Sequence, residues 1–252
     1  MLSNDLEYRV VKPDKSLSDF VESFWMLVNH AGIGKDIVVL PDGRIDVFFS
    51  QSATKAFHVT LLGLESEPSQ TILEPGIITF AVSLRPLAVE YLLKTKVAAL
   101  VNHGTILPTG IWGITADDLN NFDSFCSKLS NVLIGSIEDK VDSRKQKLFE
   151  LLYQSNGTIP VAELSRHVYW SSRQINRYFN DQFGLSLKSY STILRFRASF
   201  QQIKDGKLFP DQHFTDQAHF IKEIKKFAGV IPKELSRNKD DRFIQFSTLP
   251  KK

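Results

Sequence analysis

The last third of the chain repeats itself at an offset of 45 positions. Ser171-Ser172-Arg173-Gln174-Ile175-Asn176-Arg177-Tyr178-Phe179 aligns with Asp216-Gln217-Ala218-His219-Phe220-Ile221-Lys222-Glu223-Ile224. Ile175 then matches Phe220, Phe179 matches Ile224, Arg177 matches Lys222, Gly184 matches Gly229 and Tyr190 matches Leu235. Each copy starts at a polar capping position, continues as an amphipathic helix with basic residues on its wet face, and stops at a glycine. Such a segment folds into two equivalent helical units on one core. Two basic helices on one small body suit a protein that contacts DNA twice.

Charge points the same way. Residues 1–140 hold 11 Lys/Arg against 17 Asp/Glu, a balance of −6, whereas residues 141–252 hold 20 against 11, a balance of +9. A basic half joined to an acidic one implies that only the second half seeks a polyanion, with the acidic half facing away from it. The 252 residues suit two domains, with the junction expected at the charged, apolar-poor stretch Asp139–Arg144. The N-terminus has no apolar signal region, and no apolar run reaches the roughly 20 residues of a membrane span. The single cysteine, Cys126, fits a reducing compartment. A soluble, cytoplasmic protein without membrane association is the expectation.

The first repeat has the better chemistry for reading bases. Ser171-x-x-Gln174 is a capping box, so a helix starts there. Ile175, Tyr178, Phe179 and Gln182 share one side, and Arg173, Asn176, Arg177 and Asn180 the other. Arginine can pair bidentately with guanine, and Asn or Gln with adenine, so Gln174 joins this set. Val161–Val168 supplies a preceding helix and Tyr169-Trp170 the turn, which is helix-turn-helix spacing. In the second repeat Phe220, Ile224 and Phe227 form the buried stripe, with His219, Lys222, Lys225 and Lys226 outward. Lysine suits phosphate as a point charge, so this helix reads as an anchor, with Gln217 and His219 as possible base contacts. The stretch 206–213 contains Pro210 and little apolar periodicity, so it is expected to be a loop or a single turn. The brace it would have provided is expected from Phe209 and Phe214 beside Phe220 and Ile224.

Residues about 145–238 resemble the AraC/XylS-type DNA-binding domain, in which two helix-turn-helix units are joined by a long helix. The resemblance lies in Val161–Ser165, Ser172–Phe179, Phe183–Tyr190 and Arg195–Arg197, and most specifically in Phe214-Thr215-Asp216-Gln217-Ala218-His219-Phe220 with Gly229-Val230-Ile231-Pro232. It implies that Arg173, Asn176 and Arg177, then Gln217, Ala218, His219 and Lys222, face bases in successive major grooves. Segment 206–213 is shorter than the family pattern by about five residues. Residues 8–108 also look like a β-rich domain found in some such regulators, through Tyr8–Pro13, Val21–Trp25, Leu40–Gly43 and Leu84–Pro86.

Residues 1–84 read as mostly β. Ile45–Phe49 follows the turn Pro41-Asp42-Gly43, and His58–Leu62 and Ile77–Val82 are β-branched or aromatic runs. Helical spacing suggests helices over Leu17–Phe24, Pro86–Leu100 and Asp117–Ile134, the last with an apolar stripe expected to pack within the chain. Farther on, Lys147–Tyr153 and Leu187–Lys204 are expected as helices. His30, His58 and His103 are scattered without ligand spacing, so neither a metal nor a catalytic residue is expected, and Cys126 sits on an apolar stripe. Phe24, Trp25, Phe48 and Phe49 are candidates for core or for the wall of a ligand pocket, and no ligand residue can be named among them.

The expected fold is α+β: a β-rich sensor or dimerisation domain with a helical linker over residues 1–140, then an all-α double helix-turn-helix domain over residues 141–252. The expected function is a sequence-specific DNA-binding transcription regulator responding to a small effector, with no cofactor and no enzymatic activity. Its expected partners are double-stranded DNA, RNA polymerase and a small-molecule effector, and it is a monomer or homodimer. The alternatives are a β-barrel enzyme with a DNA-targeting tail and an architectural DNA binder that senses nothing.

Overall fold

The structure is a computed structural model that describes residues 5–137, 141–209, 214 and 216–249. Its first half is a β-sheet body and its second half is helical, the α+β arrangement expected from the sequence. The strands are β1 (Leu6–Val11), β2 (Val21–Asn29), β3 (Lys35–Val39), β4 (Ile45–Gln51), β5 (His58–Leu62), β6 (Ser69–Leu73), β7 (Ile78–Leu84) and β8 (Gly104–Leu107). Six form an antiparallel sheet in the order β1-β2-β7-β4-β5-β8, while β3 and β6 pair as a separate ribbon.

The two-residue period of β4 gives the sheet two different faces. Ile45, Val47 and Phe49 are fully buried beneath helix α1 (Phe122–Ser136), where Phe49 and Phe80 meet Phe125 edge-on at 5.4 Å. Asp46, Phe48 and Ser50 point the other way, in register with Ser83, Ala81 and Thr79 of β7. The apolar stripe of α1 packs within the chain as expected: Phe122, Cys126, Leu129 and Leu133 are all buried.

Three helical expectations fail in this half. Leu17–Phe24 is a short turn at Lys15–Leu17 followed by β2, because pairing with β1 and β7 on both sides outweighs three or four helix-spaced apolar residues. Pro86–Leu100 is not one helix but separate turns at Val89–Leu93 and Ala98–Leu100, interrupted by Lys94 at φ 53°. Asp117–Ile134 divides at Asn121, whose side chain accepts from Ser124 N at 2.9 Å and caps α1.

The second half holds α2 (Ser143–Gln154), α3 (Val161–Val168), α4 (Ser172–Phe183), α5 (Leu187–Ala198), α6 (Phe200–Lys204), α7 (Gln217–Ala228), α8 (Pro232–Arg237) and α9 (Ile244–Thr248). Leu187–Lys204 breaks at Ser199, whose hydroxyl donates to Phe196 O at 2.6 Å in place of a continuous ladder. Residues 138–140 of the expected junction lie outside the described residues, as do 210–213 with Pro210. The apolar core runs unbroken from Phe24 and Phe49 through Tyr91 to Tyr190, Phe196 and Phe246.

Polar contacts join the halves as firmly. The Pro41–Gly43 turn presses on α5: Gly43 has φ 76°, a Cβ there would lie 3.2–3.3 Å from Leu194 and Tyr190, and the Tyr190 hydroxyl donates to Gly43 O at 3.1 Å. The partly buried Glu22 carboxylate accepts from Arg197 at 2.8 Å and from Arg85 at 2.9 Å. Gln245 of α9 brackets Leu40, accepting from its N at 3.0 Å and donating to its O at 2.9 Å.

Candidate nucleic-acid interface and cavity

Helices α3 and α4 follow one another across a short turn, where the sequence places them. Tyr169 closes α3 in a left-handed conformation, at φ 54°, and stands 87% exposed at the turn. Ser171 then caps α4 in the expected capping box: Ser171 Oγ accepts from Gln174 N at 3.2 Å, and Gln174 Oε1 accepts from Ser171 N at 2.8 Å. Ile175, Phe179 and Phe183 are the buried stripe. Gly184 ends the helix at φ 72°, and a Cβ there would collide with the Ala98 carbonyl, so glycine also lets the β-rich half approach α4.

The residues expected to read bases fall into two groups. Arg173 and Arg177 are exposed, and neither has a hydrogen bond or ion pair among the described residues. The other three are already engaged: Gln174 in the cap, Asn176 donating to Ser172 O at 3.0 Å, and Asn180 donating to Asn176 O at 2.8 Å. They must swing off their own helix to reach a base edge.

On α7, Asp216 caps the helix by accepting from His219 N at 2.8 Å, and Phe220, Ile224 and Phe227 are buried. Lys222, Lys225 and Lys226 are exposed, as a phosphate anchor needs, and Lys226 Nζ lies 4.8 Å from the Phe227 ring centre. Gln217 and His219 are only half exposed. Gln217 Nε2 donates to Leu208 O at 3.0 Å, and Gln217 Oε1, His219 Nδ1 and Glu223 Oε2 are buried without a hydrogen-bond partner among the described residues. The brace is half as expected. Phe214 meets Phe220 edge-on at 4.9 Å, whereas Phe209 is 75% exposed.

The acidic half does not face away from α4. Glu90 accepts from Lys145 at 2.6 Å and from the Tyr178 hydroxyl at 2.7 Å, and it shares a groove with Gln174 and Arg177. Burial, reinforced by Glu90, raises the Tyr178 hydroxyl above the usual phenol range. Lys96 pairs with Asp181 at 2.7 Å, and Val97 N donates to Gln182 O at 3.0 Å.

A cavity of about 370 Å³ lies on the other face of the sheet, between β1, β2, β4, β5, β7 and the β3–β6 ribbon, with α9 as its lid. Tyr8, Trp25, Phe48, Asp42, Arg44 and Asp46 line it, and Ile244, Gln245 and Thr248 close it. Of the four aromatic residues weighed in the sequence, Trp25 and Phe48 face the cavity, while Phe24 and Phe49 are core. The charged members carried no sequence signal, because alternation in β4 marks Asp46 and Ser50 as an ordinary wet face. The ribbon and α9 that cover this face arrive from distant parts of the chain.

Electrostatics in the cavity are uneven. Burial would raise the Asp42 carboxyl, but the adjoining Arg44 guanidinium wins and holds it below the usual range. Burial pushes Asp46 up to about 6, against the pull of Arg44 and with Asp42 adding to the rise. Glu65, behind the same wall, is pushed by burial up to about 7. Among the described residues no group of His, Cys, Asp and Glu side chains could hold a metal ion, and no helix is long and apolar enough to cross a membrane.

Comparison with known proteins gives one family and several loose structural likenesses. No curated protein matches the chain. Crystal structures of ToxT from Vibrio cholerae align over most of its length. The apo form of a ToxT variant has a TM-score of 0.46 at 12% identity, covering 89% of this chain and 98% of that one. A second ToxT structure gives 0.41 at 14%, covering 92% and 97%, and an unsaturated fatty acid-bound form gives 0.40 at 13%, covering 94% and 96%. At these scores the alignments define neither a shared function nor a shared ligand. The family model described as "Domain of unknown function (DUF6597)" matches residues 9–135, which is half of the sequence, and the chain belongs to that family.

Proposed function

We propose that the chain is a non-catalytic, sequence-specific DNA-binding transcription regulator, with residues 141–252 as its DNA-binding domain and residues 1–140 as a domain that holds a small effector. The observation that carries this reading is α4. It is a capped helix placed directly after α3, and it presents the unpaired Arg173 and Arg177 to solvent. Free guanidinium forks on an ordered helix are what base-edge recognition requires. The exposed lysines of α7 supply phosphate contacts, and the +9 balance of residues 141–252 supplies the long-range attraction. The cavity supports the sensing part, since its volume lies within the range of about 300–1,000 Å³ typical of small-molecule sites. Its lid comes from α9, so an occupant would touch both halves at once.

Salt dependence of duplex binding by the full chain tests the reading. Affinity should fall steeply between low and physiological salt, because phosphate contacts release counterions. A binding constant indifferent to salt would remove the DNA assignment.

A further inference from the structure

We infer that the cavity beneath α9 takes a small organic cation, an amine with an aromatic body, and that Asp46 is its counter-ion. This rests on the reading of the cavity as an effector site and adds the chemistry of the effector. The first argument is charge balance. At the inner end the cavity and its rear wall gather three carboxyls, Asp42, Asp46 and Glu65, against one cation, Arg44. Arg44 is committed to Asp42, donating to it through Nε at 2.7 Å and through a terminal nitrogen. At the far end Lys55 and Glu74 pair with each other at 3.9 Å. Asp46 accepts a hydrogen bond from the Ser83 hydroxyl and feels the charge of Arg44, but among the described residues no cation pairs with it directly. Burial raises the proton affinity of Asp46 and Glu65, so a cation brought into the cavity would find carboxyls that gain from a positive neighbour.

The second argument is the wall beside that carboxyl. Trp25 Nε1 donates to Ser83 Oγ at 2.9 Å, and Ser83 in turn donates to Asp46, so the indole stands next to the carboxyl. Phe48 follows Asp46 on the same face of β4 and meets Trp25 edge-on at 5.0 Å, and Tyr8 lies 6.5 Å from Trp25. A carboxylate in a cavity lined by three aromatic rings attracts an organic ammonium by ion pairing with the carboxylate and by cation–π contact with the rings. It disfavours a carboxylate ligand, which would have to take Arg44 from Asp42 and lie against Asp46. The apolar Leu27, Ile37 and Ile244 suit the uncharged body.

The test is thermal melting of the full chain, without DNA, with two matched ligand sets at millimolar concentration. One set is tryptamine, tryptophol and indole-3-propionate; the other is 2-phenylethylamine, 2-phenylethanol and 3-phenylpropionate. Within each set only the headgroup differs. At least one amine should raise the midpoint by several degrees and clearly more than its alcohol and acid partners. Asp46→Asn, which keeps an acceptor for Ser83, should melt cooperatively and lose that preference. The inference is overturned if an acid is the best ligand of its set, if alcohol and amine act alike, or if no compound shifts the midpoint. Because no DNA is present, such a failure leaves the regulator reading standing. Loss of DNA binding in the salt titration would leave the melting result standing.

Discussion

Glu22 is the residue on which the halves meet most tightly. It is one strand residue bound by Arg85, Arg197 and Lys12, and although burial works against ionisation, these cations hold its carboxyl at about 2, below the ordinary 4.5. A depressed carboxyl stabilises the fold above its unfolded pKa and loses that contribution as pH falls through the folded one. Glu22→Gln should therefore cost about 2–3 kcal/mol near neutral pH, with the gap to the parent closing as pH falls from 4.5 towards 2. Urea unfolding at several pH values checks this, and a pH-independent difference would contradict it. On the DNA side, Arg177→Ala should cost about 1–3 kcal/mol on a preferred site and relax choice there. Lys226→Ala should weaken all sequences alike, and equal loss of specificity in the two variants, measured on a panel of duplexes, would erase the division between reading and anchoring. Arg177 and Lys226 were legible in the sequence because an amphipathic helix declares its wet face locally. Asp46 and Glu22 were not, because what makes them special is brought to them from over 30 and over 170 residues away, as with Ser83 and Arg197.

At the scale of elements, the caps were the most readable features. Ser171, Asp216, Gly184 and Gly229 bound α4 and α7 where the repeat places them, since capping satisfies backbone groups within one turn of the chain. The β-rich half was harder. Helical spacing at Leu17–Phe24 was a coincidence within a strand that pairs on both sides, and the helix over Pro86–Leu100 needed a continuity that Lys94 breaks. Helix α7 is braced by Phe214, the aromatic residue that meets Phe220, while Phe209 stands exposed. Phe214 is half-buried, so Phe214→Ala should cost about 2–3 kcal/mol, below the range for a fully buried ring. It should also shorten the protected DNA footprint towards one helical turn while contacts from Arg173 and Arg177 persist. A two-turn footprint at unchanged affinity would show that α7 is braced elsewhere.

For the whole molecule, the sequence showed two halves of opposite charge but not how closely they join. The acidic half is pressed onto the basic one by the Gly43 turn, by Glu22 and by Glu90, so the cavity and α4 share one framework. Asp42 and Arg44 line the cavity, and the residue between them touches Tyr190 of α5, so on the proposed reading a short route runs from effector to helix. That route matters only if α4 and α7 read DNA. The most direct test is selection of bound duplexes from a random pool by the full chain, repeated with Arg173→Ala/Arg177→Ala. The account predicts convergence on one sequence by the parent and loss of the preference at the bases under α4 in the double variant, with residual salt-sensitive binding. No enrichment by the parent, or the same sequence selected by both proteins, would contradict it.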